Sequence, residues 1–194
     1  MTNMHMMIDG ETFATSPDAA LIQLGAAAFR LDETGVPEER RFHANVTLQS
    51  AVLVGARIDF TKKGTVDWWK DQSTEARASV CGPAVSLQTA LEELSLFFHR
   101  HGCAEVWSHG ACFDIPIVDW SYRACGMTAP WRYTKARDTR TLFWIATALA
   151  GWEKPERVVD HVAVLDAVAQ AEDVQEAIRA LRDKADAPWE RLLA

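Results

Sequence analysis

Four acidic side chains stand at positions that a solvated surface does not readily explain. Asp9 and Glu11 end the first apolar segment two positions apart, so on a continuing strand both side chains project from the same face. Two like charges side by side repel each other unless a cation lies between them. Asp114 heads a helical stretch after a short loop, and Asp166 lies within an apolar run, where an acid is rarely left without a partner or a metal. These residue types and positions therefore indicate a cation site.

Two of these acids also have simpler interpretations. Asp114 is well placed to be the N-cap of its helix, which taken alone is the commoner role of such a residue. Asp166 can lie on a solvated helix face, since Gln170 and Asp173 follow it at i+4 and i+7. His161 precedes Asp166 by five residues, which on a regular helix separates the two side chains by about 140°. The two converge on one site only if His161 stands in the loop or first turn before the helix.

The elements that must position these residues follow from the hydrophobic pattern. Apolar runs and alternation predict three strands in an antiparallel meander in the first quarter of the chain, and one strand later. The predicted strands cover 4–8, 21–29, 41–48 and 104–107. Helical spacing predicts helices from Thr65 toward Arg77, after Ser86, from Asp114, from Thr139 to Ala150 before Gly151, and from about His161 to Arg182. Strands followed by helices predict a mixed α/β domain.

Length, composition and charge exclude several classes of protein. With 194 residues, 48% hydrophobic and 24% charged, the chain has the composition of one globular domain over 1–194, with a C-terminal tail from about 184. The net charge of −7, from 20 Lys and Arg against 27 Asp and Glu, disfavours a protein that coats duplex nucleic acid. The four cysteines match no zinc or disulfide spacing. The N-terminal residues resemble neither a signal peptide nor a membrane span, so we expect a cytoplasmic protein without membrane contact.

Three short motifs resemble those of the DEDDh 3′-5′ exonucleases, the DnaQ-like branch of the ribonuclease-H-like fold. The motifs are Asp9-Gly10-Glu11-Thr12, Phe113-Asp114 and His161-Val-Ala-Val-Leu-Asp166. Within this family the chain is most similar to small bacterial and phage exonucleases of the ribonuclease AS type. That narrower likeness is carried by 16–26, Trp68-Trp69 with Gln72, Pro130-Trp131, 137–142 and 166–171. The resemblance spans about 4–180 and implies an α/β, ribonuclease-H-like fold with a mixed central sheet flanked by helices.

The same resemblance implies a hydrolytic site. Asp9, Glu11, Asp114 and Asp166 would hold two divalent ions, Mg²⁺ or Mn²⁺, whose hard character suits oxygen ligands. His161 would be the general base that takes a proton from the attacking water, a role typical of imidazole at neutral pH. The expected reaction is hydrolysis of phosphodiester bonds at the 3′ end of single-stranded nucleic acid. The resemblance implies a slight preference for RNA over DNA and the release of nucleoside 5′-monophosphates.

Substrate contacts are expected from the resemblance as well. Thr12 stands where relatives hold the ribose 3′-OH, and Phe13 stands where they place an apolar wedge against a base, a contact that contributes roughly 1–3 kcal/mol. Many relatives carry an Asn before the second motif, whereas this loop offers Ser108 and His109 for contacts to sugar or water. Gly10 replaces a larger apolar residue of relatives, and its position away from the metal face predicts altered packing.

A basic cluster precedes the helix that is predicted from Thr139. Arg137 and Arg140, with the neighbouring Arg132 and Lys135, form either a rim that contacts phosphates or a solvated loop and helix start. Asp138 between them is either an N-cap or a carboxylate behind the metal ligands. The sequence leaves these alternatives open.

Three tryptophans are further candidates for stacking on bases. Because eight tryptophans in a small domain are mostly core residues, we expect at least two of Trp68, Trp69 and Trp131 to pack inside. Relatives are frequently homodimers, and the tryptophan-rich helical segments could supply such an interface.

Three functional hypotheses remain. The first is the exonuclease acting on RNA or DNA 3′ ends, with a DNA-specific enzyme as a variant. The second is a non-catalytic module that binds single strands with a site impaired by Gly10, and the third is an unrelated α/β protein with acids at caps and surfaces. Two bound divalent ions would bring the charge from −7 to about −3. A net charge of about −3 is compatible with an enzyme that binds the end of one nucleic-acid strand.

Overall fold

The computed structural model describes residues 3–110, 112–157 and 161–185. The strands are β1 (Met4–Thr12), β2 (Leu21–Phe29), β3 (Arg41–Val46), β4 (Ala84–Val85), β5 (Cys103–Ser108) and β6 (Ala136–Asp138). They form one sheet in the order β4-β3-β2-β1-β5-β6. β1, β2 and β3 pair antiparallel, as the meander prediction requires, and the remaining neighbours pair parallel. Most of the predicted C-terminal tail lies outside the described residues.

Helices cover both faces of this sheet. They are α1 (Leu48–Leu53), α2 (Thr65–Lys70), α3 (Thr74–Ser79), α4 (Leu87–Arg100), α5 (Asp114–Ala124), α6 (Thr139–Ala150) and α7 (Ala163–Ala185). α4 and α5 share one buried apolar cluster with the sheet, and α6 and α7 share a second cluster on the opposite face. The predicted mixed sheet flanked by helices is confirmed. In the part of the chain that the structure describes, no helix is long and apolar enough to cross a membrane.

Several helix ends follow from single residues. Ser86 accepts a hydrogen bond from the Thr89 N–H and begins α4, and Asp138 does the same for the Arg140 N–H at the start of α6. Gly151 ends α6 in the left-handed conformation, with φ of 66°, which glycine adopts without steric cost. The N-cap interpretation of Asp138 is therefore confirmed.

Three short elements and one helix break depart from the sequence prediction. α1, β4 and β6 have two to six residues, too few to show a period in the sequence. The helix expected from Thr65 toward Arg77 is two helices, because Ser73 accepts a hydrogen bond from the Ala76 N–H and starts a new one. β1 also continues past Ile8 to Thr12, and this extension carries the first two acids on the strand.

Alternation along β1 decides which face the acids occupy. Met6 and Ile8 pack into the cluster with α4 and α5, whereas Met7 packs into the cluster with α6 and α7. Side chains at every second position of a strand share a face, so Asp9 and Glu11 lie on the face of Met7. The strand therefore presents both carboxylates toward α7.

His5, at the opposite end of β1, is a buried histidine with a hydrogen-bonded ring. It is 5% exposed, and its Nδ1 accepts a hydrogen bond from Trp107 Nε1 at 3.1 Å. Burial lowers the pKa of His5, which the carboxylate of Glu105 opposes and the charge of Arg137 reinforces. The folded state therefore favours neutral imidazole, and protonation of Nδ1 would remove the acceptor that Trp107 uses.

We expect the free energy of unfolding to fall below pH 6.5 in part through His5. Because its folded pKa lies below the unfolded value, the unfolded chain binds the proton first, and stability is lost as pH falls from 6.5 toward the folded pKa. Urea unfolding at pH 7.5 and 5.5 measures this loss, which should be smaller in His5→Gln. His99→Gln, at an exposed position on α4, is the control and should retain the wild-type loss. Equal losses in all three proteins would contradict the assignment.

Candidate active site

One cavity of about 320 Å³ gathers residues that are far apart in the sequence. Its lining includes all five residues predicted for catalysis, which come from the end of β1, the start of α5 and the region around the start of α7: Asp9, Glu11, Asp114, His161 and Asp166. Donor atoms of Glu11, His161 and Asp166 all lie within 4.8 Å of one another. The tertiary structure therefore brings the predicted set together.

The two acids of β1 lie opposite residues of β2 that contact the start of α7. Asp9 pairs with Gly25, and Glu11 pairs with Gln23, across the antiparallel ladder. Gly25 has no side chain, and a Cβ placed there would stand 2.2 Å from the carbonyl carbon of Ala163. The first residue of α7 thus lies directly on the backbone of β2 beside Asp9. This close approach, which only glycine allows, sets the distance between β2 and α7.

Asp114 does not act as an N-cap. The N-cap position of α5 belongs to Phe113, without a side-chain hydrogen bond, and Asp114 is the first helical residue. Its carboxylate is 5% exposed and accepts a hydrogen bond from the Gly10 N–H at 3.1 Å. The capping interpretation is therefore wrong, because the side chain points across to β1. A Cβ at Gly10 would lie 2.9 Å from Leu21 Cδ1, and the expectation of altered packing relative to relatives stays a prediction.

The polar face of α7 is part of the cavity. Asp166, Gln170 and Asp173 all line it, one or two turns apart. Gln170 Nε2 donates a hydrogen bond to Asp9 Oδ1 at 2.7 Å, and Asp173 is 1% exposed. The alternative of a solvated helix face is therefore wrong for this stretch. Gln170 was not predicted as a site residue, although its i+4 spacing from Asp166 places both side chains on one face of the helix.

His161 precedes α7, which satisfies the condition for it to meet Asp166. α7 begins at Ala163, and His161 has a φ of 50°, an uncommon value for a residue with a side chain. Its carbonyl accepts a hydrogen bond from Ser79 Oγ at 3.3 Å, and its ring lies 4.9 Å from the ring of Trp68 in an edge-on arrangement. Contacts from two other elements therefore hold this residue in its position.

The acids of the cavity oppose one another electrostatically. Burial, followed by the charge of Asp166, raises the pKa of Asp9, while the hydrogen bond from Gln170 works against this shift. Burial and the charges of Asp9 and Asp166 raise the pKa of Glu11 to about 8. Burial and the charge of Asp9 likewise raise the pKa of Asp114. A cation among these carboxylates would relieve both the repulsion and the loss of hydration.

Two cations at another part of the same cavity were missed by the sequence analysis. Arg157 Nε lies 2.7 Å from Asp173 Oδ1, and Lys154 Nζ lies 4.0 Å from Asp173 Oδ2. Arg157 also pairs with Glu172 at 3.2 Å. Their charges are thus offset by α7 residues other than the predicted ligands. No local sequence pattern predicts these ion pairs, because the partners are 15 to 19 positions apart.

A second cavity, of about 410 Å³, adjoins the first. The two share Gly10, Glu11 and Phe113 in their linings. The ring of Trp68 also lines the second cavity, and Trp68 is 41% exposed. Phe113 was part of a motif but not a predicted contact, and its place in both linings makes it a candidate for binding a base.

The other predicted aromatic residues are parts of the core. Trp69 and Trp131 are 5% and 7% exposed and donate their indole hydrogen bonds to the carbonyl of Thr12 and to Asp119. The expectation that at least two of the three tryptophans pack inside is confirmed. Phe13 packs against the ring of Trp69, 6.4 Å away, and lines neither cavity.

Of the predicted polar contacts to substrate, Thr12 and His109 line a cavity and Ser108 does not. Thr12 lines the second cavity and His109 lines the first, where His109 Nδ1 shares a hydrogen bond with the Thr139 hydroxyl at 2.8 Å. Burial, with the charges of Lys154 and Arg140, lowers the pKa of His109 to about 4. Ser108 is fully buried and donates a hydrogen bond to the Gly110 carbonyl, so in this structure it shapes the loop and does not face the cavity.

Two of the four residues of the basic cluster form ion pairs within the protein. Arg137 Nη2 lies 2.7 Å from Glu105 Oε1, and Lys135 Nζ lies 3.5 Å from the same oxygen. Arg137 lines neither cavity, which favours the structural interpretation for this residue. Arg140 is exposed. Its guanidinium packs beside Gly110 in the loop before Asp114, where an added Cβ on the glycine would be 3.4 Å from it.

Solved structures share this fold. The crystal structure of cell-death related nuclease 4 (CRN-4) aligns with a TM-score of 0.63 at 14% identity, over 92% of this chain and 64% of that chain. The product-bound structure of exonuclease I aligns with a TM-score of 0.54 at 16% identity, over 100% of this chain and 46% of that chain. At such identities the likeness shows the fold, which is the predicted ribonuclease-H-like fold of exonucleases.

The sequence itself matches a narrower group. The model of the 3′-5′ exoribonuclease Rv2179c-like domain matches residues 4–178, and the chain therefore belongs to this family. The exodeoxyribonuclease of Enterobacteria phage T4 is 27% identical over 128 residues, which cover 58% of this chain and 52% of the phage protein. The chain thus spans about half the length of that relative.

Proposed function

We propose that this protein is a metal-dependent 3′-5′ exonuclease that removes nucleotides from the 3′ end of single-stranded RNA or DNA. The observation that carries the proposal is the convergence of four acids and His161 on one cavity. Three of the acids have raised pKa values caused by burial and by one another, an arrangement that costs stability unless it serves a cation. Membership of a 3′-5′ exoribonuclease domain family supports the same reaction.

The residues of the cavity fit divalent metal ions. Carboxylate oxygens of Asp9, Glu11, Asp114 and Asp166 are hard ligands of the kind that Mg²⁺ and Mn²⁺ prefer. Among the described residues, Gln170 Oε1 is a buried acceptor without a hydrogen-bond partner, and it can accept from a water in the same cavity. Two bound ions would supply Lewis-acid activation of water and charge stabilisation at the leaving 3′ oxygen. Two ions, held by these four residues, are our proposal.

The protein's own residues then account for proton transfer. His161 is the general base, because one of its ring nitrogens lies within 4.8 Å of carboxylate oxygens of Glu11 and Asp166. The ring of Trp68 supports the imidazole from one side, and Ser79 holds its backbone. Gln170 keeps Asp9 oriented by its hydrogen bond. These contacts hold the base and one ligand in place before substrate binds.

The second cavity is proposed to hold the terminal nucleoside. Its volume of about 410 Å³ lies within the range of small-molecule sites, and it opens directly beside Glu11. Trp68 and Phe113 offer aromatic surfaces to a base, and Thr12 lines the part next to the acids. A base reaches such a cavity only when it is unpaired, which favours single-stranded ends. Slight preference for RNA is supported by the family description, and the phage relative's name keeps DNA as the alternative.

The test is incubation of 5′-labelled single-stranded RNA and DNA of one sequence with the protein and Mn²⁺, followed by excess EDTA. We expect a ladder that shortens from the 3′ end, releases nucleoside 5′-monophosphates and stops when EDTA removes the metal. A substrate blocked at its 3′ end is the control and should remain intact. Binding without shortening would replace this proposal by the non-catalytic module, and neither binding nor shortening would refute the proposed activity on single-stranded 3′ ends. We also propose that the protein forms a homodimer, and light scattering on the protein alone tests this.

A further inference from the structure

We infer that Gln23 is a positioning residue that fixes both the start of α7 and the backbone of His161. The inference rests on the proposed function. Gln23 lies on β2 opposite Glu11 and is 0% exposed. It lines neither of the two cavities, so it acts through other residues and not on substrate.

The first interaction of Gln23 defines where α7 begins. Its Oε1 accepts a hydrogen bond from the Ala163 N–H at 2.7 Å. The first N–H groups of a helix have no partner within the helix, so an acceptor supplied from outside determines where the first turn is docked. Asp166 follows Ala163 by three residues, in that first turn. A shift of Ala163 therefore displaces the carboxylate of Asp166 relative to β1.

The second interaction of Gln23 leads to His161. Its Nε2 donates hydrogen bonds to Asn45 Oδ1 at 2.9 Å and to the Ser79 carbonyl at 3.1 Å. The hydroxyl of Ser79 in turn contacts the carbonyl of His161 at 3.3 Å. One amide thus joins β2, β3, the end of α3 and the start of α7. The positive φ of His161 is the kind of strained conformation that persists when its surroundings determine it.

Gln175, which lies on α7, provides a matched control for Gln23. It is 1% exposed, its Oε1 accepts from the Gly35 N–H at 2.9 Å, and its Nε2 donates to the carbonyls of Arg30 and Gly35 at 3.0 and 3.3 Å. Both glutamines therefore bury an amide with three hydrogen bonds and tie α7 to the sheet side. Gln175 lies twelve residues after Ala163, roughly 18 Å along the helix. It lines neither cavity of the site.

The experiment compares Gln23→Leu with Gln175→Leu. Steady-state hydrolysis of a single-stranded oligonucleotide with Mn²⁺ should show kcat lowered about 100-fold in Gln23→Leu, because an error of about 1 Å in a reacting group costs that much. KM should change little, since Gln23 lines neither cavity. Gln175→Leu should keep both values while losing comparable stability in urea. Hydrogen exchange should be faster at 161–170 in Gln23→Leu and unchanged there in Gln175→Leu.

Gln23→Glu keeps the positioning hypothesis testable if Gln23→Leu does not fold. A carboxylate retains the acceptor for the Ala163 N–H and is favoured at a helix N-terminus, but it lacks the donor for the Ser79 carbonyl, so kcat should be lower than in the wild type and hydrogen exchange at 161–170 faster. Equal loss of kcat in the Gln23 and Gln175 variants, or unchanged kcat in Gln23→Leu, would overturn the inference. If the wild-type protein hydrolyses nothing, the proposed function fails, and hydrogen exchange at 161–170 still decides whether Gln23 holds this segment.

Discussion

Replacement of Asp166 by Asn is expected to abolish hydrolysis while leaving the fold intact. Asp166 is one of three residues whose donor atoms cluster within 4.8 Å, and an amide oxygen without charge binds a divalent ion weakly. Loss of several kcal/mol of charge stabilisation corresponds to a rate lowered by about 10³-fold or more, at 1.36 kcal/mol for each factor of ten. Asp9→Asn should act in the same direction. Near-native turnover by either purified variant would refute the assignment.

The same substitution should raise thermal stability in the absence of metal. A substitution that only disrupts packing would lower it. In EDTA, Asp166→Asn should melt at a higher temperature than the wild type, because the charge of Asp166 opposes ionisation of Asp9 and Glu11. Adding Mn²⁺ should raise the wild-type Tm, since ligand binding stabilises the folded state, and should raise that of the variant less. Asp183→Asn, at an exposed position on the same helix, is the matched control. It should retain both turnover and the wild-type response to Mn²⁺.

Gly25→Ala is expected to have the largest effect on stability. The added Cβ would stand 2.2 to 2.3 Å from backbone atoms of Ala163 and Val164, which cannot move without lifting the start of α7 from the sheet. Overpacking of a core usually costs 1–3 kcal/mol, and a clash with backbone on this scale should cost about 3 kcal/mol or more. Activity should fall with stability, because α7 carries Asp166 and Gln170.

Urea unfolding measures this effect, with Gly10→Ala as the control on the neighbouring strand. At Gly10 the added Cβ would meet Leu21 Cδ1 at 2.9 Å, the movable end of a side chain. We expect that variant to lose about 1 kcal/mol or less. A Gly25→Ala protein as stable as Gly10→Ala would show that the contact between β2 and α7 is less close than described.

Much of the architecture was visible in the sequence for a local reason. The limits of β2 and of α6 follow from apolar runs, from Asp138 as N-cap and from Gly151 as the left-handed end. Such signals act between residues a few positions apart, so a single sequence reveals them. The sequence pattern did not predict α1, β4 and β6, because elements of so few residues form only where the rest of the fold supports them.

Substrate contacts were the least predictable part of the site. Phe13, Ser108 and Arg137 have suitable side chains, yet they pack against Trp69, bond to the Gly110 carbonyl and pair with Glu105, respectively. Phe113 and Trp68 line the second cavity instead. Whether an aromatic or basic side chain is buried, paired or free depends on neighbours that are distant in the sequence.

The sequence by itself determined which residues are chemically suited to a metal-dependent hydrolytic site and on which elements they lie. Alternation along β1 placed Asp9 and Glu11 on one face, and the helical pattern placed Asp166 near the start of α7. Only the tertiary structure decided that these carboxylates meet. The carboxylates converge because two residues of β2 position Ala163, the first residue of α7. Gly25 leaves room for it, 138 positions earlier in the sequence, and Gln23 accepts its N–H hydrogen bond, 140 positions earlier. Contacts over such separations are set by close packing of the whole fold, which no local pattern encodes.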